Sequence, residues 1–280
     1  MSLSTMNVVL KWVLYHTMSG AYPSTNLAIA YGPLPQWRSF SLLYLASMCR
    51  PEYYQVAGDT LHTACKPPNP RCRIRDSGVT ARERQLILKM HNRFRSKVAF
   101  GLLPGFPPAA NMRKLYWNSE LASVAQAHAN QCTSEWAYKH DEPSARKTVN
   151  FDTVGQNAAW EAFNYDQSKR SWRTQIDNWI AEYADCPADR IAYFRDRDDG
   201  VRIGHFTELI WADAQYVGCG YSYYTLDGVE GDKKYQGFYV CNYAPTGNVF
   251  SKPIYQAGPT CSSCPEGLAC ERFSGLCRMR

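Results

Sequence analysis

Eleven cysteines, at 49, 65, 72, 132, 186, 219, 241, 261, 264, 270 and 277, constrain this 280-residue chain more than any other feature. Four of them crowd into the final segment from Cys261 to Arg280. That stretch holds too little apolar material for a core of its own, so it needs covalent staples. The cysteines therefore predict an oxidising compartment, and their odd number leaves one outside any set of internal pairs. Cys261 and Cys264 also form a C-x-x-C, a weak zinc signal that the oxidising context turns toward disulfides.

The rest of the composition suits a globular protein: 45% hydrophobic residues, 20% charged, with 19 tyrosines and 8 tryptophans to supply buried area. The net charge of +6, 31 basic against 25 acidic residues, is spread along the chain. Its densest basic stretch, Arg71 to Arg84, is interrupted by Asp76 and Glu83 and reads as a solvated face, which argues against nucleic-acid binding. A weak attraction to acidic membranes or glycans is compatible with this charge. No apolar run approaches the roughly 18 residues of a membrane span. The chain also lacks an Asn-x-Ser/Thr sequon.

Residues 1–48 read as a leader. Of its two short apolar runs, Phe40 to Ala46 follows Arg38 and ends in small residues, like the h-region of a signal peptide. It lies further from Met1 than a usual signal, which points to an unusual leader or a misassigned start. Residues 49–78 form a Cys- and Pro-rich lead segment. Its run Lys66-Pro67-Pro68-Asn69-Pro70 excludes helix and central strand.

From residue 79 the pattern becomes regular. Thr80 and Glu83 form a capping box that starts a helix running to about Ala99, with Gly101 past its end. A second helix is expected from Asn118 or Ser119 to Gln131. A third, from about Ser171 to Tyr183, carries Trp172, Ile176, Trp179, Ile180 and Tyr183 on one stripe. A short helix follows Gly204, through His205 to Trp211. Val217–Thr225 and Tyr235–Tyr243 read as strands around a charged, Gly-containing turn. Antiparallel pairing symmetric about that turn brings Cys219 next to Cys241. Helices interleaved with strands predict a layered α/β sandwich, and residues 257–280 a small disulfide knot.

Several segments together resemble the CAP superfamily. Gly204-His205-Phe206-Thr207-Glu208-Leu209-Ile210-Trp211 is similar to its first signature, and Phe238 to Asn248 to its second. His91-Asn92-Arg93-Phe94-Arg95 and Gly155-Gln156-Asn157 match two further motifs. His62 to Cys65, Pro107 to Met112 and Glu120-Leu121-Ala122 resemble the antigen 5 proteins of arthropods in particular. The resemblance implies the three-layer α-β-α sandwich of a CAP domain over 79–256, with Cys-rich extensions at 49–78 and 257–280. It also implies the pairs Cys49 with Cys65, Cys72 with Cys132 and Cys219 with Cys241. Cys261, Cys264, Cys270 and Cys277 would pair among themselves, leaving Cys186.

In the family, two histidines and two acidic residues line a cleft. Carried over, these positions are His140, Gln156, Glu182 and His205. Gln156 stands where an acid is usual and cannot act as a base. Glu208 stands where glutamine is usual and would restore a carboxylate nearby. His140, Glu182 and His205 form a reasonable Zn²⁺ ligand set with an open position, although no cofactor is required by the sequence. A hydrogen-bonded polar cluster is the alternative. Catalysis would use His205 as general base beside Glu182. No nucleophile motif accompanies it, so no catalytic residue is assigned and binding is the preferred activity. His91 and Arg95 are expected to bond backbone or an acid across the core, and His128 to be a core residue. The resemblance implies a secreted, extracellular effector of venom, saliva or haemolymph that binds a protein target, a sterol or a fatty acid. A metal-dependent hydrolase and an immune or structural protein with an inactive cleft are the other readings.

Overall fold

Two long antiparallel strands organise the computed structural model, which describes residues 49–133, 140–166, 170–195 and 202–280. The leader expected at 1–48 lies outside the described residues. All the described residues belong to one unit, Leu43–Arg280. The two strands are β4 (Tyr216–Leu226) and β5 (Tyr235–Ala244). They pair so that Cys219 faces Cys241, the register expected from symmetry about the turn. β1 (Cys72–Ser77) flanks β4 and β3 (Gly155–Phe163) flanks β5, giving the order β1-β4-β5-β3. β2 (Tyr116–Trp117) adds a short parallel pairing to β4. Neither β1 nor β3 has a clean alternating pattern in the sequence. β1 lies in the basic stretch, where Arg73 and Arg75 reach out to Asp227 and Asp166.

The strands alternate between two cores, as the period of two requires. Cys219, Tyr221, Tyr223, Tyr239, Cys241 and Tyr243 join the larger core. That core is covered by α2 (Ala81–Ala99), α4 (Trp172–Ala181) and α5 (Gly204–Leu209). Tyr224, Phe238 and Val240 join a smaller core with α3 (Ser119–Ala129). This is the three-layer sandwich. Its thin layer depends on two glycines of β4. A Cβ at Gly218 would stand 2.2 Å from the Ala122 nitrogen, and one at Gly220 would stand 2.4 Å from the Gln126 backbone. Only glycine lets α3 lie directly on the strand.

The helices start where the sequence says they should. Thr80 and Glu83 make the reciprocal capping box of α2, and Asn118 and Ser171 accept from the first turns of α3 and α4. α4 is shorter than expected, because its last turn tightens into a 3₁₀ segment at Glu182–Asp185. α5 likewise ends at Leu209, short of Trp211.

Arg95 is fully buried on α2. Its guanidinium donates to the carbonyls of Arg113, Leu209, Trp211, Ala212 and Ala214, so it satisfies the free carbonyls at and beyond the end of α5. Burial lowers its pKa to about 9. His91 donates from Nδ1 to the Ile87 carbonyl and accepts at Nε2 from the Tyr243 hydroxyl. Burial, with Arg95 nearby, lowers its pKa to about 4. Both residues are structural. His128 is buried with its ring edge-on to Phe238.

Five disulfides staple the ends and the sheet: Cys49–Cys65, Cys72–Cys132, Cys219–Cys241, Cys261–Cys270 and Cys264–Cys277. Cys186 is buried outside these pairs. The N-terminal extension contributes α1 (Pro51–Val56), whose Tyr53 ring stacks on His62 at 3.9 Å. The C-terminal extension is a hairpin of β6 (Leu268–Glu271) and β7 (Leu276–Met279). It docks through Leu276 in the larger core, backbone bonds between Cys277 and Met112 and Lys114, and the Lys114–Glu271 ion pair. Among the described residues, no helix is long and apolar enough to cross a membrane.

Candidate functional site

The tightening of α4 after Ala181 aims Glu182 at the start of α5. Its Oε2 accepts from the backbone N–H groups of His205 and Phe206, at 3.0 and 3.1 Å. Its Oε1 lies 2.6 Å from His205 Nδ1. Both carboxylate oxygens are thus committed to holding His205. With Nδ1 donating to Glu182, Nε2 is the nitrogen His205 turns outward. Trp179, one turn earlier on α4, lies 5.8 Å from the His205 ring in a stacked arrangement and fixes its plane. Asn157 on β3 donates to the His205 carbonyl at 2.9 Å.

The second half of the site is built on Gln156. Its Oε1 accepts from the Asp141 N–H at 3.2 Å and faces His140 Nδ1 at 3.1 Å. Its amide nitrogen donates to Asp141 Oδ1 at 3.0 Å and Asn242 Oδ1 at 2.9 Å. A glutamate here could make neither of the last two bonds. Gln156 also orients His140 so that Nδ1 donates and Nε2 is left outward. The two imidazoles face each other with ring centroids 6.5 Å apart. Burial, with the nearby charges of His205 and Arg146 adding to it, lowers the pKa of the His140 imidazole to about 4.

Asp141 is the residue sequence reasoning passed over. It is buried, bonds Arg146 at 3.1 Å, and accepts from the Thr63 hydroxyl at 2.7 Å. Arg146 also donates to the Val154 carbonyl at 2.7 Å. This network ties the N-terminal extension to the cleft. The only signal for it in the sequence is the adjacency of Asp141 to His140. Asn242 sits inside the second signature, but nothing in that motif names Gln156 as its partner.

Glu208 takes a different place from the other carboxylate. It is buried, and its Oε1 accepts from the Gly247 N–H at 3.0 Å. A Cβ at Gly155 would fall 2.0 Å from that oxygen, so the missing side chains at Gly155 and Gly247 make its compartment. Burial pushes its pKa up to about 7. None of its hydrogen bonds reaches His140, Glu182 or His205 among the described residues, so it adds no carboxylate to their cluster. Glu182 and His205 border a cavity of about 370 Å³ with Trp160, Asn178, Trp179 and Arg202.

The donor set can be judged for a metal. Glu182 already uses both oxygens on His205 and the backbone, which suits it to orient a metal-binding imidazole rather than to ligate. The two Nε2 atoms are the groups available to an ion. Among the described residues, the triad whose donor atoms all lie within 4.8 Å is Cys261, Cys264 and Cys277, and its sulfurs are spent in disulfides. His140, Glu182 and His205 stand wider than that.

A second feature lies on the far side of α4. A groove of about 550 Å³ runs between α2 and α4, lined by Met90, Phe94, Phe100, Leu102, Ile180 and Tyr183. Arg93, Lys97 and Arg173 stand along it, with Asp177 as the carboxylate of the lining.

Comparison with known proteins agrees with this architecture. The chain is 37% identical over 226 residues to a protein of Trittame loki named CRISP/Allergen/PR-1, covering 78% of this chain and 53% of that one. It is 37% identical over 207 residues to Venom allergen 5.02 of Vespa crabro, covering 70% and 94%. It spans about half the length of the first curated relatives it matches. Among solved structures, that of NaASP2 with Zn²⁺ superposes with a TM-score of 0.57 at 27% identity, covering 73% of this chain and all of that one. The profile of the Cysteine-rich secretory protein family matches residues 88–243. With its signatures on α5 and β5 and its sandwich built around them, the chain belongs to this family, the CAP family.

Proposed function

We propose that this protein works outside the cell as a non-enzymatic binder, and that its ligand is an amphiphile with an anionic head, such as a fatty acid. The groove between α2 and α4 carries this reading. Its volume and apolar lining suit an acyl chain, and Arg93, Lys97 and Arg173 supply the charge a carboxylate needs. A sterol fits the same apolar lining but leaves the cations unused. Secretion is supported by the five disulfides and by relatives named as venom proteins. Extraction of the native protein followed by mass spectrometry is expected to release fatty acid. A clean blank, with no uptake of a fluorescent fatty acid by the stripped protein, removes the proposal.

The facing imidazoles favour a second reading, a Zn²⁺ site. His140 and His205 would hold the ion through Nε2, with Gln156 and Glu182 orienting them. The similar structure of NaASP2 with Zn²⁺ supports this reading. A bound ion would supply Lewis acidity, which is the basis of the hydrolase alternative. Titration with Zn²⁺ tests it: His205→Ala should abolish uptake, and uptake unchanged in that variant disposes of the site and of the hydrolase with it.

A further inference from the structure

We infer that the tip of the C-terminal hairpin, together with the adjacent mouth of the α2–α4 groove, docks onto an anionic lipid bilayer. Phe273 sits in the turn between β6 and β7 and is fully exposed. The hairpin that presents it is braced by Cys261–Cys270 and Cys264–Cys277, so the ring is held out on a short, stapled support. Two residues on, Gly275 is buried against the Phe100 ring, and a Cβ there would stand 3.0 Å from it. The hairpin tip therefore abuts the end of α2, where Phe100 and Leu102 are also exposed, Leu102 by 64%. These same two side chains line the groove. Phe273 is thus held two residues from the glycine that packs on Phe100, beside the end of the cavity that Phe100 and Leu102 line.

The charge around this surface is mostly positive, with Asp177 as the carboxylate of the groove lining. Arg272 precedes Phe273 in the turn, and Arg93, Lys97 and Arg173 follow the groove, all exposed. None of the four has an ion-pair partner among the described residues, whereas Glu271 is held by Lys114. Aromatic and aliphatic side chains flanked by unpaired cations match the boundary of an anionic leaflet, where rings sit among headgroups and basic residues meet lipid phosphates and carboxylates. A protein partner fits less well. A hairpin turn and two neighbouring side chains offer far less than the roughly 800 Å² per side of a stable complex. A weak, reversible membrane contact needs no such area. The choice of a lipid surface rests on the groove reading, because docking here would set the groove mouth against the source of its ligand.

Sedimentation with protein-free vesicles tests the inference. The protein should pellet with phosphatidylcholine vesicles containing phosphatidylserine, release at high salt, and stay in solution with phosphatidylcholine alone. Phe273→Ser should weaken binding about tenfold, the scale of one buried aromatic side chain. Arg272→Glu should weaken it at least about fivefold. Both variants should keep the wild-type disulfide map and the wild-type affinity for a fluorescent fatty acid. Failure to bind anionic vesicles, or equal binding by Phe273→Ser, overturns the inference. So does binding to cell membranes but not to lipid vesicles, which assigns the surface to a membrane protein. Vesicle binding without fatty-acid uptake would instead remove the groove reading and leave docking intact.

Discussion

The two sides of α4 face two kinds of cavity, and the contrast between them separates holding from receiving. On one side, Trp179 and the following Glu182 belong to a cleft whose polar atoms are mostly committed: Glu182 to His205, Gln156 to Asp141 and Asn242. On the other side, Ile180 lines an open, largely apolar groove whose cations Arg93, Lys97 and Arg173 form no ion pair among the described residues. A satisfied polar network is rigid, because each group lost leaves another buried and unpaired. An apolar groove is tolerant, since dispersion and burial do not specify direction. The cleft is therefore suited to keeping two imidazoles in place, and the groove to accepting a chain.

Glu182→Ala should break this comparison on the cleft side with the largest effect. It strips His205 Nδ1 and two backbone N–H groups of their acceptor. A loss of about 2–3 kcal/mol is expected in denaturant unfolding. Zn²⁺ affinity, read by titration, should fall about tenfold or more.

Glu208→Gln sharpens it through pH. The folded-state pKa of Glu208 is raised to about 7 by burial, from the usual carboxylate value of 4.5. The folded chain holds this proton more tightly than the unfolded one, so folding is penalised as pH rises from the lower value through the higher. The glutamine variant should match the wild type in thermal stability at pH 4. Above pH 7 it should be more stable by about 2–3 kcal/mol. An identical gain at both pH values would show that packing, not ionisation, sets the difference.

Ile180→Ser is the smallest change and acts on the groove alone. Ile180 is only partly buried, so a stability loss of about 1 kcal/mol is expected. Fatty-acid affinity should fall about fivefold to tenfold by fluorescence displacement, for the lost apolar contact. Zn²⁺ titration should be unchanged. A variant that alters both would show that the two cavities communicate through α4.

Much of the frame was legible in the residues because it rests on local rules. The capping box at Thr80 and Glu83 needs only neighbours in sequence, and the Cys219–Cys241 pairing follows from strand period and turn position. β1 and β3 were not legible. β1 is an edge strand bearing exposed arginines, and β3 carries polar groups inward toward the cleft, so neither shows the alternation that marks a half-buried strand. The site shows the same division. His205 and Glu182 lie in recognisable motifs, but the roles of Asp141, Asn242 and Thr63 come from separations of 15, 86 and 78 residues.

By itself, then, the sequence determined the family, the layered scaffold and the chemical types available to the cleft, because periodicity, caps and cysteine placement are properties of neighbouring residues. Only the tertiary structure decided that Glu208 is shut between Gly155 and Gly247, that Glu182 orients instead of standing free, and that a stapled hairpin sets Phe273 beside the groove. Those outcomes depend on which distant backbone comes close enough to bury, pair or expose a side chain, and no local pattern encodes that distance.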